Sequence, residues 1–210
     1  MYINKDVLNL TNSITSKVDT EFGRMHIERI EVGKLKLITG KVIATDPILM
    51  YDDQSYSKRV APGTYTVYIY NGKAEKRKNQ TVLAEIKFND KMPVRWEMAL
   101  FEGENSKGFA NDEFMGYEVE NGLGCFMDEN VMEILDVMSE NELNEYEKNI
   151  RDKVMENQIS TADILIDKKT GSNIIVFASG WNKGVFPTYY GLDKDGRIAR
   201  LVTDFMVVEA

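Results

Sequence analysis

Apolar positions along this chain change their period several times. Over residues 4–18, Val7, Leu10, Ile14 and Val18 recur at three- and four-residue spacing, which predicts an amphipathic helix ended near Gly23. From residue 25 onward Ile27, Ile30, Val32, Leu35, Leu37, Val42 and Ala44 are interrupted by Gly33 and Gly40. This predicts two or three short strands with the glycines at turns or bulges. Asp46-Pro47 breaks pairing, because proline cannot donate to a ladder, and residues 51–58 are polar and loop-like. Pro62-Gly63 suits the centre of a type II turn. Thr64–Tyr70 is rich in β-branched and aromatic residues and predicts a strand. Asn71-Gly72 predicts a turn after it, with the basic run Lys73–Lys78 as a loop. Val82, Ala84, Ile86 and Phe88 alternate, as do Val94, Trp96, Met98 and Leu100, and both runs read as half-buried strands.

Residues 102–115 are polar and loop-like. Tyr117–Val119 and Cys125–Met127 flank a turn at Asn121–Gly124. Asp128 then suits a helix N-cap, and Ser139-Glu140-Asn141-Glu142 is a capping box. Two helices are therefore expected, at about 129–138 and 140–157. Leu143, Tyr146, Ile150 and Val154 form the second helix's stripe for packing on a sheet. Ile164–Phe177 reads as a hairpin with a glycine-containing turn, Asp193–Gly196 as a hairpin turn, and Arg197–Val208 as a last long strand. Most connections between strands are too short for a crossover helix. The expected class is α+β and β-rich, a mostly antiparallel sheet or sandwich with an N-terminal helix and a helical pair at about 129–157. With no linker in view, residues 1–210 are read as one domain. It comprises an N-terminal helical segment (1–22), a β-rich part (25–126), an acidic helical insertion (129–157) and C-terminal strands (163–208).

Composition narrows the function classes. The chain has 210 residues, 43% of them hydrophobic, enough for a sizeable core without staples. One cysteine, Cys125, excludes an internal disulfide, and the first ten residues lack the features of a secretory signal, so a cytoplasmic setting is expected. No run approaches the roughly 20 apolar residues of a membrane span. The net charge is −8, and residues 128–158 hold ten acids against three bases, which accounts for nearly all of it. That balance disfavours nucleic acid, which needs a basic surface, and suits a basic protein partner. The single histidine, His26, sits in a strand-like alternation and leaves no material for a His/Cys zinc site or a serine triad away from it. No metal and no cofactor are expected.

Several constellations could carry chemistry. Arg95 and Glu97 lie two apart on a strand and share a face with Ala99 and Phe101, so they form either a structural ion pair or an anchor for a small polar ligand. Asp46, Asp128 and Asp204 sit beside structural breaks and, with Glu97, are the candidates for a convergent catalytic cluster; each also has a structural reading as turn, cap or strand residue. Asp193–Gly196 lacks the later ligands of a calcium loop. Trp181, Phe186, Tyr189 and Tyr190 crowd one segment, where they make either a binding surface or a minor core.

Seven landmarks in order carry a resemblance: Thr45–Pro47; Ala61–Tyr65; Arg95–Ala99; Gly122–Asp128; Phe177–Gly184; Tyr190–Asp193; and Asp204-Phe205. Over about residues 33–208 they resemble a bacterial family known as domain of unknown function 4241. The resemblance implies a simple cytosolic bacterial protein and no particular activity. It also implies a loop reading Gly-Trp-Gly-Asp-Gly, where this chain has Gly180-Trp181-Asn182-Lys183-Gly184, and an aspartate where this chain has Glu120. An acidic role at that loop would be lost here, which favours recognition by Trp181 and Lys183 over catalysis. The leading expectation is a non-catalytic cytosolic binding protein, with an immunity-type role as one form of it. Arg95, Glu97, Trp181, Lys183, Tyr189 and Tyr190 are its binding candidates. The alternatives are a small-molecule hydrolase using the carboxylates near Trp181, and a structural oligomer module.

Overall fold

The computed structural model describes residues 1–49 and 54–208. A short helix, α1 (Lys5–Leu8), runs into one 3-10 turn (Asn9–Asn12). Eight strands follow: β1 (Thr15–Thr20), β2 (Gly23–Leu37), β3 (Val42–Thr45), β4 (Gly63–Ala74), β5 (Arg77–Lys87), β6 (Arg95–Met98), β7 (Gly116–Val119) and β8 (Leu123–Asp128). Then come α2 (Glu129–Leu135), α3 (Glu140–Glu156), β9 (Thr161–Asp167), β10 (Ser172–Ala178), β11 (Gly184–Leu192) and β12 (Ile198–Asp204). The class is α+β and β-rich, with both sheets antiparallel. The larger has the order β1-β2-β4-β5-β12-β11-β6, with β7 also on β11, and the smaller the order β3-β8-β10-β9.

Alternation along the strands builds the layers. Leu35, Val67, Ile69, Ala84, Ile86 and Leu201 of the larger sheet meet Ala44, Phe126, Ile175 and Phe177 of the smaller in one buried cluster. The next residues along, Ile43, Cys125, Met127, Ile174 and Val176, point the other way and pack under Val131 and Leu135 of α2 and Tyr146, Ile150 and Val154 of α3. The unbroken apolar run Ile174–Phe177 thus belongs to a strand covered on both faces. Residues 1–12 cover the outer face of the larger sheet. Its Tyr70 Oη donates to Thr11 O at 3.3 Å, Trp96 Nε1 to Asn9 Oδ1 at 3.2 Å and Tyr189 Oη to Tyr2 O at 2.9 Å.

The structure corrects several local expectations. The helix expected over 4–18 spans only Lys5–Leu8 and the 3-10 turn; Thr15–Thr20 is a strand, because it pairs with Gly23–Glu28 through a tight turn. Residues 25–45 hold two strands, within the expected two or three, with Gly33 at a bulge and Gly40 in the bend between them; the first, Gly23–Leu37, is long rather than short. Asn71-Gly72 is not a turn. Strand β4 runs through it to Ala74, and a Cβ on Gly72 would lie 2.4 Å from Met25 Sδ, so close packing explains that glycine. The turn at Asn121–Gly124 joins no hairpin, since β7 pairs with β11 and β8 with β3 and β10; it carries the chain from one sheet to the other. The last strand ends at Asp204, where Asp204 Oδ1 accepts from Met206 N at 2.8 Å and Met206 adopts φ 54°. Of the expected 51–58 loop, residues 51–53 lie outside the described residues, and Tyr56 bridges to Phe101. The two helices and the Ser139–Glu142 capping box are as expected.

Asp128 joins the layers. Its buried carboxylate caps α2 through Asn130 N at 3.2 Å and accepts from Ile38 N, Thr39 N and Gly40 N, each at 3.1 Å. The β2–β3 crossing between sheets is therefore held to the start of the helical layer. Replacing Asp128 by Ala leaves these amide donors without an acceptor, at about 1–3 kcal/mol for each one that stays buried. Asp128→Ala is expected to lose at least about 3 kcal/mol in urea unfolding, whereas Asp167→Ala, whose hydrogen bonds lie at an exposed turn, shifts the midpoint far less.

Candidate functional site

Trp181 sits on a tightly constrained loop. A Cβ on Gly180 would lie 2.4 Å from Val207 Cγ2 and 2.7 Å from Thr81 O, so only glycine fits. Gly180 O accepts from Gln80 Nε2 at 2.7 Å, and the indole Nε1 donates to Phe205 O at 2.9 Å. The half-buried indole lies 6.0 Å from the Phe22 ring. The Arg77 guanidinium stands 4.9 Å from the Phe22 ring and 5.7 Å from that of Trp181. The aromatic surface that could receive a cation is therefore met by the chain's own arginine.

Tyr189 and Tyr190 are not loop residues. Adjacent in β11, they point to opposite faces of the larger sheet and both are buried, because a strand alternates its side chains. Tyr190 Oη donates to Lys58 O at 3.2 Å. Arg95 and Glu97 do share a face, at the edge strand β6, and are 2.8 Å apart; Lys58 pairs with the other oxygen of Glu97. Both ends of this cluster are solvated, with the Arg95 side chain 63% exposed.

The four candidate carboxylates have separate partners. Asp46 Oδ2 accepts from Glu120 N and Asn121 N, both at 3.0 Å, and Oδ1 from Ile48 N at 2.9 Å, which pins the β7–β8 turn. Asp128 lies at the far end of the β3–β8 pairing, opposite Val42, whereas Asp46 follows Thr45. Four residues of strand separate these positions, about 13 Å. Asp204 is on the outer face of the larger sheet beside Leu83, and Glu97 is on the edge strand. Among the described residues no three of His, Cys, Asp and Glu group as a metal site.

A buried ionisable cluster lies on that outer face. Tyr70 Oη donates to Glu85 Oε2 at 2.5 Å, and Arg200 Nε lies 2.6 Å from Glu85 Oε1, an ion pair not aligned as a hydrogen bond. Burial pushes the Glu85 carboxyl up, against the opposing effects of the Tyr70 hydroxyl and the Arg200 charge. Asp204 is fully buried with Oδ2 unpartnered, and burial raises its carboxyl to about 7 despite the Met206 N–H. Glu85 alternates with Ala84 and Ile86, which reads as a solvent-facing position. Only the cover of residues 1–12 makes it interior.

A family model matches residues 35–203, that of proteins of unknown function, DUF4241. The chain belongs to this DUF4241 family. No curated protein and no solved structure matches it. The match takes in both sheets and the two larger helices and begins within β2, after α1 and β1. In this DUF4241 chain two of the three positions where the resemblance implied other residues, Glu120 and Lys183, form an ion pair with each other. Lys183 holds the Glu120 carboxyl below its usual range, and Glu120 raises the Lys183 ammonium.

The remaining feature is the helical layer. Glu133, Asp136, Glu140, Glu142, Glu145, Asp152 and Glu156 are exposed on α2, α3 and the turn between them. Among the described residues none of them pairs with a base; the ion pair within this layer is Glu147 with Arg151 at 3.6 Å. Between α3 and β9 lies an open groove of about 530 Å³. It is walled by Glu142, Glu145 and Asp152 and floored by Ile164, Leu165 and Ile166. Leu143, expected on the buried stripe of α3, is instead 37% exposed and borders a second groove toward α2.

Gly180→Ala is expected to destabilise by about 2 kcal/mol or more through overpacking, while Lys183→Ala leaves the midpoint close to wild type, because its ion pair is solvated, both read from urea midpoints. Asp204 keeps its proton when folded between about pH 4, the unfolded value, and about 7. Its contribution is present in full below that window and is lost as pH rises through it. Asp204→Asn should remove that part of the pH dependence. Between pH 4 and 8 its stability should gain on wild type by an amount of order 4 kcal/mol, measured as paired urea titrations at each pH.

Proposed function

We propose that this protein is a non-catalytic binding protein whose acidic helical layer takes a basic protein partner. The observation that carries this reading is the set of seven exposed acids on α2, α3 and their connecting turn that no base of the described chain neutralises. Unpaired charges of one sign on one layer raise the encounter rate with an oppositely charged protein and repel like-charged ones. The candidate acids point the same way. Asp46 and Asp128 have their oxygens engaged by backbone amides, Asp204 is fully buried, and Glu97 is held between Lys58 and Arg95. None of them stands free beside another acid or base as general acid–base chemistry needs. An immunity-type protein is the form of this reading in which the basic partner is a toxin.

The test is affinity purification from the native cell with wild type and with a Glu140→Lys/Glu145→Lys/Asp152→Lys variant. The expected result is a basic partner retained by wild type at low salt. It should be released at about 1 M salt, where the Debye length is about 3 Å, and lost to the variant. A partner that binds the charge-reversed variant equally well, or the recovery of no partner at all, would count against the proposal.

A further inference from the structure

Strand β9 ends the smaller sheet, and among the described residues it pairs with β10 alone. The opposite edge is different: at β3, Val42 O accepts from Tyr56 N at 2.9 Å, so residue 56 already lies against that edge. Along β9 two open depressions follow one another. One, of about 580 Å³, borders Thr161, Ala162 and Asp163; the other, of about 530 Å³, borders Ile164, Leu165 and Ile166. Together they track six consecutive residues of strand edge, about 20 Å of chain. Between them the Lys153 ammonium donates to Asp163 O in a long, exposed bond of 3.4 Å. A backbone N–H arriving along the edge could take its place.

The chemistry beside this edge is two-sided. On the helix side the trough is walled by Glu142, Glu145, Asp152 and Glu156 against Lys148 and Lys153, a net acidic wall. On the other side Leu165 stands 52% exposed. Edge strands are ordinarily guarded by charge, proline or cover; here Asp163 and Lys153 supply charge at the middle of the edge, while the exposed Leu165 beyond them is neither charged nor covered. We infer that β9 is a docking edge, on which an extended basic segment of a partner protein pairs as a fifth strand of the smaller sheet. The inference rests on the acidic-layer reading and adds to it where and in what conformation the partner binds. Main-chain hydrogen bonds to the edge would supply affinity, and alternate side chains specificity. Lys or Arg at one parity would face the α3 acids, and apolar residues at the other would cover Leu165.

The probe is a labelled ten-residue peptide alternating Lys and Val, followed by fluorescence anisotropy at low salt. A second copy has every backbone nitrogen methylated, which keeps charge and side chains but removes each N–H. The expected result is that the unmodified peptide binds and slows amide exchange within residues 161–166, while the methylated peptide binds at least tenfold more weakly. Leu165→Lys should also cost the unmodified peptide about tenfold, and Glu133→Lys, on α2 away from β9, should cost much less despite its larger charge change. If the methylated peptide binds within twofold of the other, or Glu133→Lys weakens binding as much as Leu165→Lys, strand pairing is overturned while the acidic-layer reading stands. If neither peptide binds, the docking edge is overturned, and the acidic-layer reading is judged by the charge-reversed triple variant. Protection at 161–166 that grows with protein concentration without peptide would assign the edge to a second copy of this chain and overturn the inference.

Discussion

The carboxylate of Asp128 is the point on which the layered arrangement depends. It sits at the end of β8, where the smaller sheet hands the chain to α2, and it gathers the amides of residues 38–40, where the chain leaves the larger sheet for the smaller. One side chain thus caps a helix and closes the crossing between the sheets. A buried charge is tolerated there because several donors converge on it, which is the condition under which burying an ion costs little. The α3 face, the groove beside it and the β9 edge all take their positions from how the helical layer is seated on the smaller sheet.

The opposite side of the sandwich follows a different logic. Residues 1–12 lie over a sheet face that carries Tyr70, Glu85 and Arg200 as well as apolar side chains. Closing such a face costs desolvation, which the Tyr70–Glu85–Arg200 contacts offset. Asp204 lacks that compensation on one oxygen and responds by holding its proton. The acids named here therefore fall into four environments: gathered by backbone amides, buried near other ionisable groups, held in solvated ion pairs such as Glu97 and Glu120, and free in solvent on the helices. Only the last can meet a partner without rearrangement.

Much of the local structure was legible in the chain. Ser139 and Glu142 announce a helix start because a capping box satisfies its donors within four residues. The hairpin from Ile164 to Phe177 and the turn at Asp193–Gly196 are legible for the same reason, that their hydrogen bonds are local. The N-terminal segment misled because the spacing of Val7, Leu10, Ile14 and Val18 fits a helix, while Thr15, Val18 and Thr20 favour a strand and find a partner in β2. Asn71-Gly72 misled because glycine serves close packing as well as turns. Of the candidate site, the excess of acids at 128–158 was plain, and the environment of each acid was not.

Most of the strands, the starts of α2 and α3 and the excess of negative charge on one segment can be read from the chain alone, since these follow from composition, period and contacts a few residues apart. The assembled layers settle which acids are engaged and which are free, that Tyr189 and Tyr190 are buried on opposite faces, and that β9, among the described residues, pairs on one side only beside an acidic helix. Those outcomes depend on which distant segments cover a given face, and coverage is a property of the assembled layers that local pattern does not encode.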